Sequence, residues 1–169
     1  MAVTTNNSWS IPADSDLVRN GAQAIRTLGN DIDSTIGKWN SYTPSIGTDG
    51  GTTNWTLGTG AIVGRYQRIA DTVHFEMKFA LGNGVKGNGG LTFSLPVAAD
   101  TDVEPNFCTG TWFDNSATDF YPVIARISGT TLKPFIVGTT MSQITSTNPS
   151  GAAAPATSDY VSINGTYKV

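Results

Sequence analysis

The sequence predicts a mainly β protein in which an N-terminal extended arm and one amphipathic helix precede an antiparallel β-sandwich of jelly-roll-like type. Three observations support this fold class. One helical pattern occupies residues 14–39, short strand patterns recur at intervals of about ten residues over 40–169, and only 14% of residues are charged while 19 are glycine. The 169 residues suffice for one domain with a terminal element. We therefore divide the chain into an arm (1–13), an oligomerisation helix (14–39) and a β domain (40–169).

The arm is polar except for Trp9, Ile11 and Pro12. Pro12 disfavours the helical conformation at Ile11, so a helix is expected to begin after it, with Asp14 or Ser15 as the N-cap. A polar chain end is ordered only when it packs against something. We therefore expect Trp9, Ile11 and Pro12 to dock the arm to a larger assembly.

The helical pattern carries one apolar stripe, in which several members are seven residues apart. Gly21 and Gly29 lie within it, and each lowers helix stability by about 1 kcal/mol relative to Ala. A helix of about 22 residues with two internal glycines is only marginally stable alone, so it must pack on its own domain or on copies of itself. We predict that the stripe is an oligomer seam formed by Val18, Ala22, Ile25, Leu28, Ile32, Ile36 and Trp39.

The clearest strand pattern is a hairpin with strands at 61–69 and 73–81 around a turn at 70–72. In its second strand apolar and polar residues alternate, which indicates one buried and one wet face. The strand at 107–113 alternates in the same way, with Cys108 and Trp112 on one face. Other strand patterns lie at 54–57, 91–97, 121–127, 132–137 and 160–169, and a low-complexity loop at 145–158.

Charge and composition limit the classes of partner that the protein can have. A net charge of −3 is too mild to indicate a nucleic-acid partner. No apolar run approaches the ~20 residues that a membrane span requires. The first residues lack the basic and apolar regions of a signal peptide, so we expect synthesis in the cytoplasm.

Cys108 is the one cysteine, which excludes an internal disulfide. We interpret it as a small buried apolar residue, with a thiol partner on another subunit as the alternative.

The residues suited to catalysis are few. His74 is the one histidine and falls on the polar face of a strand; Ser94 and Asp71 are the available nucleophile and acid, but no motif links the three. Asp100 and Asp102 offer oxygen ligands for Ca²⁺, without an EF-hand pattern. We therefore expect no catalytic site, no cofactor and no metal site, and interpret these side chains as solvated.

Aromatic residues flank the polar loop at 114–119. Exposed aromatic rings beside Asp and Asn side chains can stack on sugar rings, with polar groups binding the hydroxyls. The alternative is that these aromatics close the core at one end of the sandwich. The flanking residues are Trp112, Phe113, Phe120 and Tyr121, and the candidate ligand surface comprises Trp112, Phe113, Asp114, Asn115 and Tyr121.

Four segments together resemble virion proteins of tailed phages, especially those infecting actinobacteria: WSIPADSDLVRNGAQAIRTLGNDID from residue 9, WNSYTP from 39, GTGAIVGRYQRIADTVHFEM from 58 and LTFSLPV from 91. The resemblance covers residues 9 to about 100 and includes minor tail proteins, fibres and head decorations. It implies a homotrimer with three bundled N-terminal helices and three β domains around the axis, and it implies no catalytic residues. From the residues alone, β-branched side chains at the seven-apart positions with Leu28 would favour two strands.

The resemblance implies a structural virion protein and leaves its position open. A tail-tip or fibre component would contact the host surface, including cell-wall glycan. A head decoration protein would instead bind capsid protein and stabilise or ornament the shell. A cell-wall glycan hydrolase is a third class, but Glu76 and Glu104 are the only glutamates and nothing links them as an acid–base pair. A secreted lectin-like module is a fourth, and the missing signal peptide argues against it.

Overall fold

The computed structural model describes residues 2–4, 8–13, 18–36, 38–84, 87–102, 106–138, 140–145 and 155–169. In these residues the protein is mainly β with one helix, α1, at Val18–Ile36. No helix among them is both long enough and apolar enough to traverse a bilayer. The strands are β1 Ala2–Val3, β2 Ser10–Ile11, β3 Asn40–Tyr42, β4 Ile46–Asp49, β5 Ala61–Ile69, β6 Thr72–Ala80, β7 Gly90–Ser94, β8 Asn106–Asp114, β9 Asp119–Ser128, β10 Thr131–Val137, β11 Met141–Gln143 and β12 Tyr160–Lys168.

All strands after the helix belong to one antiparallel sheet, in the order β3-β5-β6-β12-β8-β9-β10-β7-β4, with β11 also paired to β10. β3 and β4 are the two ends of this order, yet only residues 43–45 separate them in the chain. Laid flat, these strands would extend over roughly 38 Å at ~4.8 Å per spacing. Four Cα–Cα steps from Tyr42 to Ile46 reach about 15 Å at most. The sheet must therefore curl until its two edges approach each other.

The strand nearest the C-terminus lies in the middle of the sheet. β12 pairs with β6 over its whole length, from Tyr160 opposite Ala80 to Lys168 opposite Thr72. On its other side it pairs with β8. β12 thus joins the β5–β6 hairpin to the β8–β9–β10 meander. Without β12, each of these units would have an unpaired strand edge, at β6 and at β8.

The concave face of the curled sheet encloses the core. Phe79 on β6 and Phe93 on β7 are far apart in the strand order, yet their ring centroids are 5.3 Å apart, because the curl brings their strands face to face. Burial of each large apolar side chain contributes roughly 1.5–3 kcal/mol. The largest fully buried side chains are Trp112, Phe75, Phe79, Phe93, Leu91, Ile127, Leu132, Ile136, Ile144, Ile163, Val73 and Val123.

The N-terminal arm folds back as a small hairpin, which corrects the expectation of an extended arm. β1 and β2 pair with Ala2 opposite Ile11. The hairpin contacts the helix, where the Ser10 amide donates to Asp31 Oδ2 at 2.8 Å. At the other end of the helix, the side-chain amide of Gln67 on β5 donates to the carbonyl of Ile36, the last helical residue. The helix is therefore held between the hairpin and β5.

Several sequence predictions are confirmed and others need correction. The hairpin at 61–81 is confirmed, with strands at 61–69 and 72–80. The predicted strand at 54–57 is wrong, because only an isolated bridge residue occurs there. The sandwich of two packed sheets is not confirmed, since the described strands of the β domain belong to one sheet. Residues 14–17, 37 and 146–154, which belong to the predicted helix start, helix end and low-complexity loop, lie outside the described residues.

Candidate functional site

The predicted apolar stripe of the helix divides into two neighbouring faces. Ala24 is buried and Leu28 half-buried where the helix contacts the hairpin and β5. Ala22, Ile25 and Ile36 are exposed, with exposed fractions of 65% for Ile25 and 41% for Ile36. At 3.6 residues per turn these three lie within an arc of about 60°. We call Ala22, Ile25 and Ile36 the seam face. Ile32, half-buried, borders it, and the side chain of Val18 lies outside the described residues.

Trp39 is not part of the helix, which corrects its assignment to the seam. The helix ends at Ile36, and Trp39 directly precedes β3. The Trp39 ring lies over the guanidinium of Arg65 on β5, with 5.0 Å between Arg65 Cζ and the ring centroid. It remains 41% exposed. Trp39 therefore belongs to the outer surface of the sheet.

The predicted docking residues of the arm have different environments. Trp9 and Ile11 are half-buried, and the Trp9 amide donates to Thr4 Oγ1 at 3.0 Å. Pro12 is exposed, and so is Val3 on the neighbouring strand, with an exposed fraction of 60%. The arm is thus docked on its own helix, and its accessible apolar surface lies at Val3 and Pro12.

The candidate ligand surface around the 114–119 loop needs two corrections. Trp112 and Asp114 have no exposed surface, so neither can contact a ligand. The Trp112 side chain lies on the core face of β8, and Phe113, the next residue, lies on the outer face. Phe113 is half-buried, Asn115 is exposed, and Tyr121 is half-buried opposite Trp112 on β9. Trp112 is therefore a core residue, as the alternative interpretation of these aromatics expected.

Buried carboxylates organise the loops at this end of the sheet. Asp114 Oδ1 accepts hydrogen bonds from the Ser116 amide at 3.0 Å and the Ser116 hydroxyl at 2.7 Å. Asp159 Oδ1 accepts from the Asn115 amide at 2.9 Å, and Oδ2 accepts from the Ala156 amide at 2.8 Å. Burial raises the pKa of Asp159, these two backbone donors lower it, and the nearby Asp114 raises it further. The carboxylates therefore fix loop geometry.

Three aromatic rings at this end, of which Phe120 is exposed and two are half-buried, form a row on the outer face. Phe113, Phe120 and Tyr160 come from β8, β9 and β12, with ring centroids 4.8 Å apart for Phe113–Phe120 and 5.1 Å for Phe113–Tyr160. Lys78 Nζ lies 4.2 Å from the centroid of the Tyr160 ring. Tyr160 joins the row only through β12 pairing, which a linear pattern cannot reveal.

An open depression lies on the outer face where β5, β6 and β12 run side by side. It has two adjoining parts, of ≈ 460 Å³ and ≈ 430 Å³, and Glu76 and Asn164 line both. Arg65 faces Glu76 across β5 and β6 and forms an ion pair with it, while Asn164 faces Glu76 from β12. Trp39 and His74 also line it. We call the surface formed by Arg65, Glu76, Asn164, Trp39 and His74 the outer groove. The polar-face position of His74 was predicted from the strand pattern, whereas the groove was not.

The residues considered for catalysis are not brought together as a catalytic group. His74 Nδ1 is 2.9 Å from Thr166 Oγ1, and Ser94 Oγ accepts a hydrogen bond from the Ser45 amide at 2.8 Å. Glu76 is paired with Arg65, and Glu104 lies outside the described residues.

The residues considered for Ca²⁺ form a local turn. Asp100 Oδ1 accepts a hydrogen bond from the Asp102 amide at 2.8 Å, as in a turn stabilised by its own side chain. Over the described ranges, no three His, Cys, Asp or Glu side chains are grouped as metal ligands would be.

Cys108 is buried, as interpreted from the sequence. Burial raises the pKa of its thiol to about 11, partly offset by a hydrogen bond with the backbone of Thr166. A thiol in this position is not accessible to a cysteine of a second subunit.

No protein-family model, curated protein or solved structure matches this chain.

Proposed function

We propose that this protein is a structural, non-enzymatic component of a tailed-phage virion, assembled as a homotrimer through α1. In this proposal it belongs to the tail tip or a fibre, and its β domain contacts the host surface. The observation that carries the proposal is the seam face, because it is apolar and exposed on a helix whose adjacent face already packs on its own chain.

The seam face is apolar and exposed, so it is suited to packing against copies of itself. Among the helical side chains that the structure describes, Ile25 is the most exposed large apolar one, at 65%. Burial of one such side chain contributes roughly 1.5–3 kcal/mol. Three copies of a helix could bury this residue around a common axis, together with Ala22 and Ile36. Gly29, also exposed, lies on the same arc and would let the helices approach closely.

The heptad positions of α1 do not all face a partner helix. The rule that favoured two strands assumes that positions a and d of a heptad both face the partner. With Ile25 and Ile32 as a positions, Gly21 and Leu28 are d positions; Gly21 has no side chain to insert, and Leu28 is half-buried within its own chain. The rule therefore does not apply to this helix, and the resemblance to trimeric phage proteins supports three subunits.

The arm offers the surface for attachment to the particle. The β1–β2 hairpin is fixed to α1 through Ser10 and Asp31, so it would move with the helix bundle as one unit. Val3 and Pro12 remain exposed on it. We infer that this exposed side of the hairpin docks to another virion protein.

The mass of the purified protein in solution tests the assembly. We expect light scattering after size exclusion to give three times 17.8 kDa for the unaltered chain. The double variant Ile25→Asp/Ile36→Asp should be a folded monomer, because six carboxylates cannot be buried together. The matched control, Gln23→Asp/Asn30→Asp, adds the same charge to exposed polar positions and should remain trimeric. A monomeric unaltered chain, or a trimeric Ile25→Asp/Ile36→Asp variant, would contradict assembly through the seam face.

A head decoration protein is the second candidate, because the same resemblance includes that class. The two candidates differ in the neighbour of the hairpin. A photoreactive amino acid placed at Val3, which is exposed, should cross-link the hairpin to a tail or fibre protein in whole particles under our proposal. Cross-links to the major capsid protein would instead show that the protein decorates the head.

A further inference from the structure

We infer that the outer groove is a saccharide-binding site that takes a pyranose unit of a surface glycan. The host-surface part of this inference rests on the proposed function, whereas the binding chemistry rests on the groove alone. Three features carry it: unused hydrogen-bonding groups on neighbouring strands, a half-exposed indole beside them, and charges that are already paired.

The first feature is a cross-strand row of polar side chains. Ser41, Arg65, Glu76 and Asn164 lie opposite one another on β3, β5, β6 and β12, so strand pairing sets their spacing. Neighbouring strands are ~4.8 Å apart. A rigid sheet holds such a row in place without the ordering of a loop, so little conformational entropy is lost when a ligand binds.

Much of the hydrogen-bonding capacity of this row is free. The side-chain amide of Asn164 has no partner within the described ranges, and it offers both a donor and an acceptor. Glu76 uses Oε1 for Arg65 Nε, which leaves Oε2 as an acceptor. His74 lines the same depression and uses Nδ1 for Thr166, which leaves Nε2 for a ligand. Hydroxyl groups both donate and accept, so adjacent hydroxyls on a sugar ring would fit this mixture.

The second feature is the apolar wall. Trp39 lies at the edge of the groove, held over Arg65 by a cation–π contact, and 41% of its surface remains exposed. Arg65 covers one face of the indole, so the C–H side of a pyranose ring would pack on the other face. An apolar wall with a few convergent polar groups is the usual composition of a small-molecule site.

The third feature excludes strongly charged ligands. The Arg65 guanidinium is balanced by Glu76, and Lys78, at the far side of the groove, lies over the Tyr160 ring. The chain as a whole carries −3. A phosphorylated or polyanionic ligand would therefore find no unpaired cluster of cations here, whereas an uncharged sugar needs none.

The aromatic row is the competing site, and its geometry is less suitable. Its rings pack on one another, and Phe113 has a neighbouring ring centroid at 4.8 Å on one side and at 5.1 Å on the other. Phe120, 64% exposed, has the largest free area, but Asn115, an exposed polar residue near it, lies in a turn. The outer groove takes its polar groups from paired strands, which hold them at a fixed spacing.

Binding of the full-length protein to sugars tests the inference. The probe is a printed array of uncharged mono- and oligosaccharides, followed by calorimetric titration of each sugar that the protein retains. We expect Asn164→Ala and Trp39→Ala each to weaken binding by roughly tenfold or more, and Trp39→Phe to recover part of the loss. Ser128→Ala, at an exposed position on β9, is the matched control and should bind as the unaltered protein does.

Each result bears on the site or on the assembly separately. Retention of no sugar by the unaltered protein would overturn the inference. Undiminished binding by both Asn164→Ala and Trp39→Ala would also overturn it, and a loss caused by Phe120→Ala instead would place the site on the aromatic row. Light scattering on the same samples keeps the two proposals distinct. A monomer whose binding depends on Asn164 would support the groove and contradict the trimer, and a trimer that binds no sugar would do the reverse.

Discussion

The ring of Tyr42 occupies the space that a side chain at Gly64 would fill. The two residues are opposite each other on β3 and β5. A Cβ added to Gly64 would lie 2.8 Å from Tyr42 Cζ, closer than such contacts allow. The Tyr42 ring also meets Tyr66 edge to face, with centroids 5.9 Å apart. An aromatic ring packed over a glycine in this way fixes an edge strand to its neighbour.

Gly64→Val should therefore detach β3. The new side chain would displace Tyr42 from its place, and we expect the free energy of unfolding to fall by about 1–3 kcal/mol. Urea unfolding followed by tryptophan fluorescence measures this change. An unchanged midpoint would show that the Tyr42 ring does not depend on the space above Gly64.

Gly21→Ala should stabilise the protein. Nothing lies within 4 Å of a Cβ placed at Gly21, so Ala fits without a clash. Replacement of a glycine inside a helix by Ala contributes up to about 1 kcal/mol. The measurement is urea unfolding at a fixed protein concentration, because the stability of an oligomer depends on concentration. A lower midpoint would indicate that a helix of another subunit approaches closely at Gly21, where the single chain leaves open space.

Asp159→Ala should destabilise the loops near the 114–119 turn. The change leaves the amides of Asn115 and Ala156 without their acceptor, and we expect a loss of about 1–3 kcal/mol. Asp119→Ala, at an exposed position on β9, is the control and should alter stability by less than about 0.5 kcal/mol. Equal effects in urea unfolding would show that the Asp159 hydrogen bonds do not stabilise the fold.

Stability should decrease at alkaline pH through two buried groups. Burial raises the pKa of Cys108 from 9.0 to about 11 and that of Tyr167 from 10.0 to about 12. The folded state thus holds these protons more tightly than the unfolded state does. Their stabilising contribution is complete below pH 9 and is lost as the pH rises through 9–11 for Cys108 and 10–12 for Tyr167.

Cys108→Ala separates the two contributions. Urea unfolding between pH 8 and 12 should show a shallower loss of stability for the variant than for the unaltered chain over the range from pH 9 to 11. The tyrosine part of the decline should persist. Identical pH profiles would show that the Cys108 thiol titrates in the folded protein as it does when unfolded.

Local patterns predicted the strands well where alternation was long. The period of two over 72–80 gave the β5–β6 hairpin, and it also assigned Cys108 and Trp112 to one face of β8. The same period separates Trp112 from Phe113, so the burial of Trp112 could have been predicted from the strand pattern alone. β3 and β4, of three and four residues, lie in a turn-rich region and carry too little pattern to detect.

Features that depend on distant contacts could not be predicted. A seven-residue spacing assigned Trp39 to the helix, but Gln67 on β5 binds the last helical carbonyl at Ile36. The outer groove needs β5, β6 and β12 side by side, and nothing in residues 160–168 indicates that they pair with 72–80. The choice between one curled sheet and two packed sheets likewise depends on strand order rather than on any strand by itself.

The central position of β12 sets the order of folding during synthesis. Until residues 160–168 have left the ribosome, β6 and β8 each present an unpaired edge, and such edges are sites of aggregation. The β5–β6 hairpin and the β8–β9–β10 meander can form earlier as separate pieces, because their contacts are local. Because β12 pairs with both pieces, we expect them to join, and the outer groove to form, only after β12 has been synthesised.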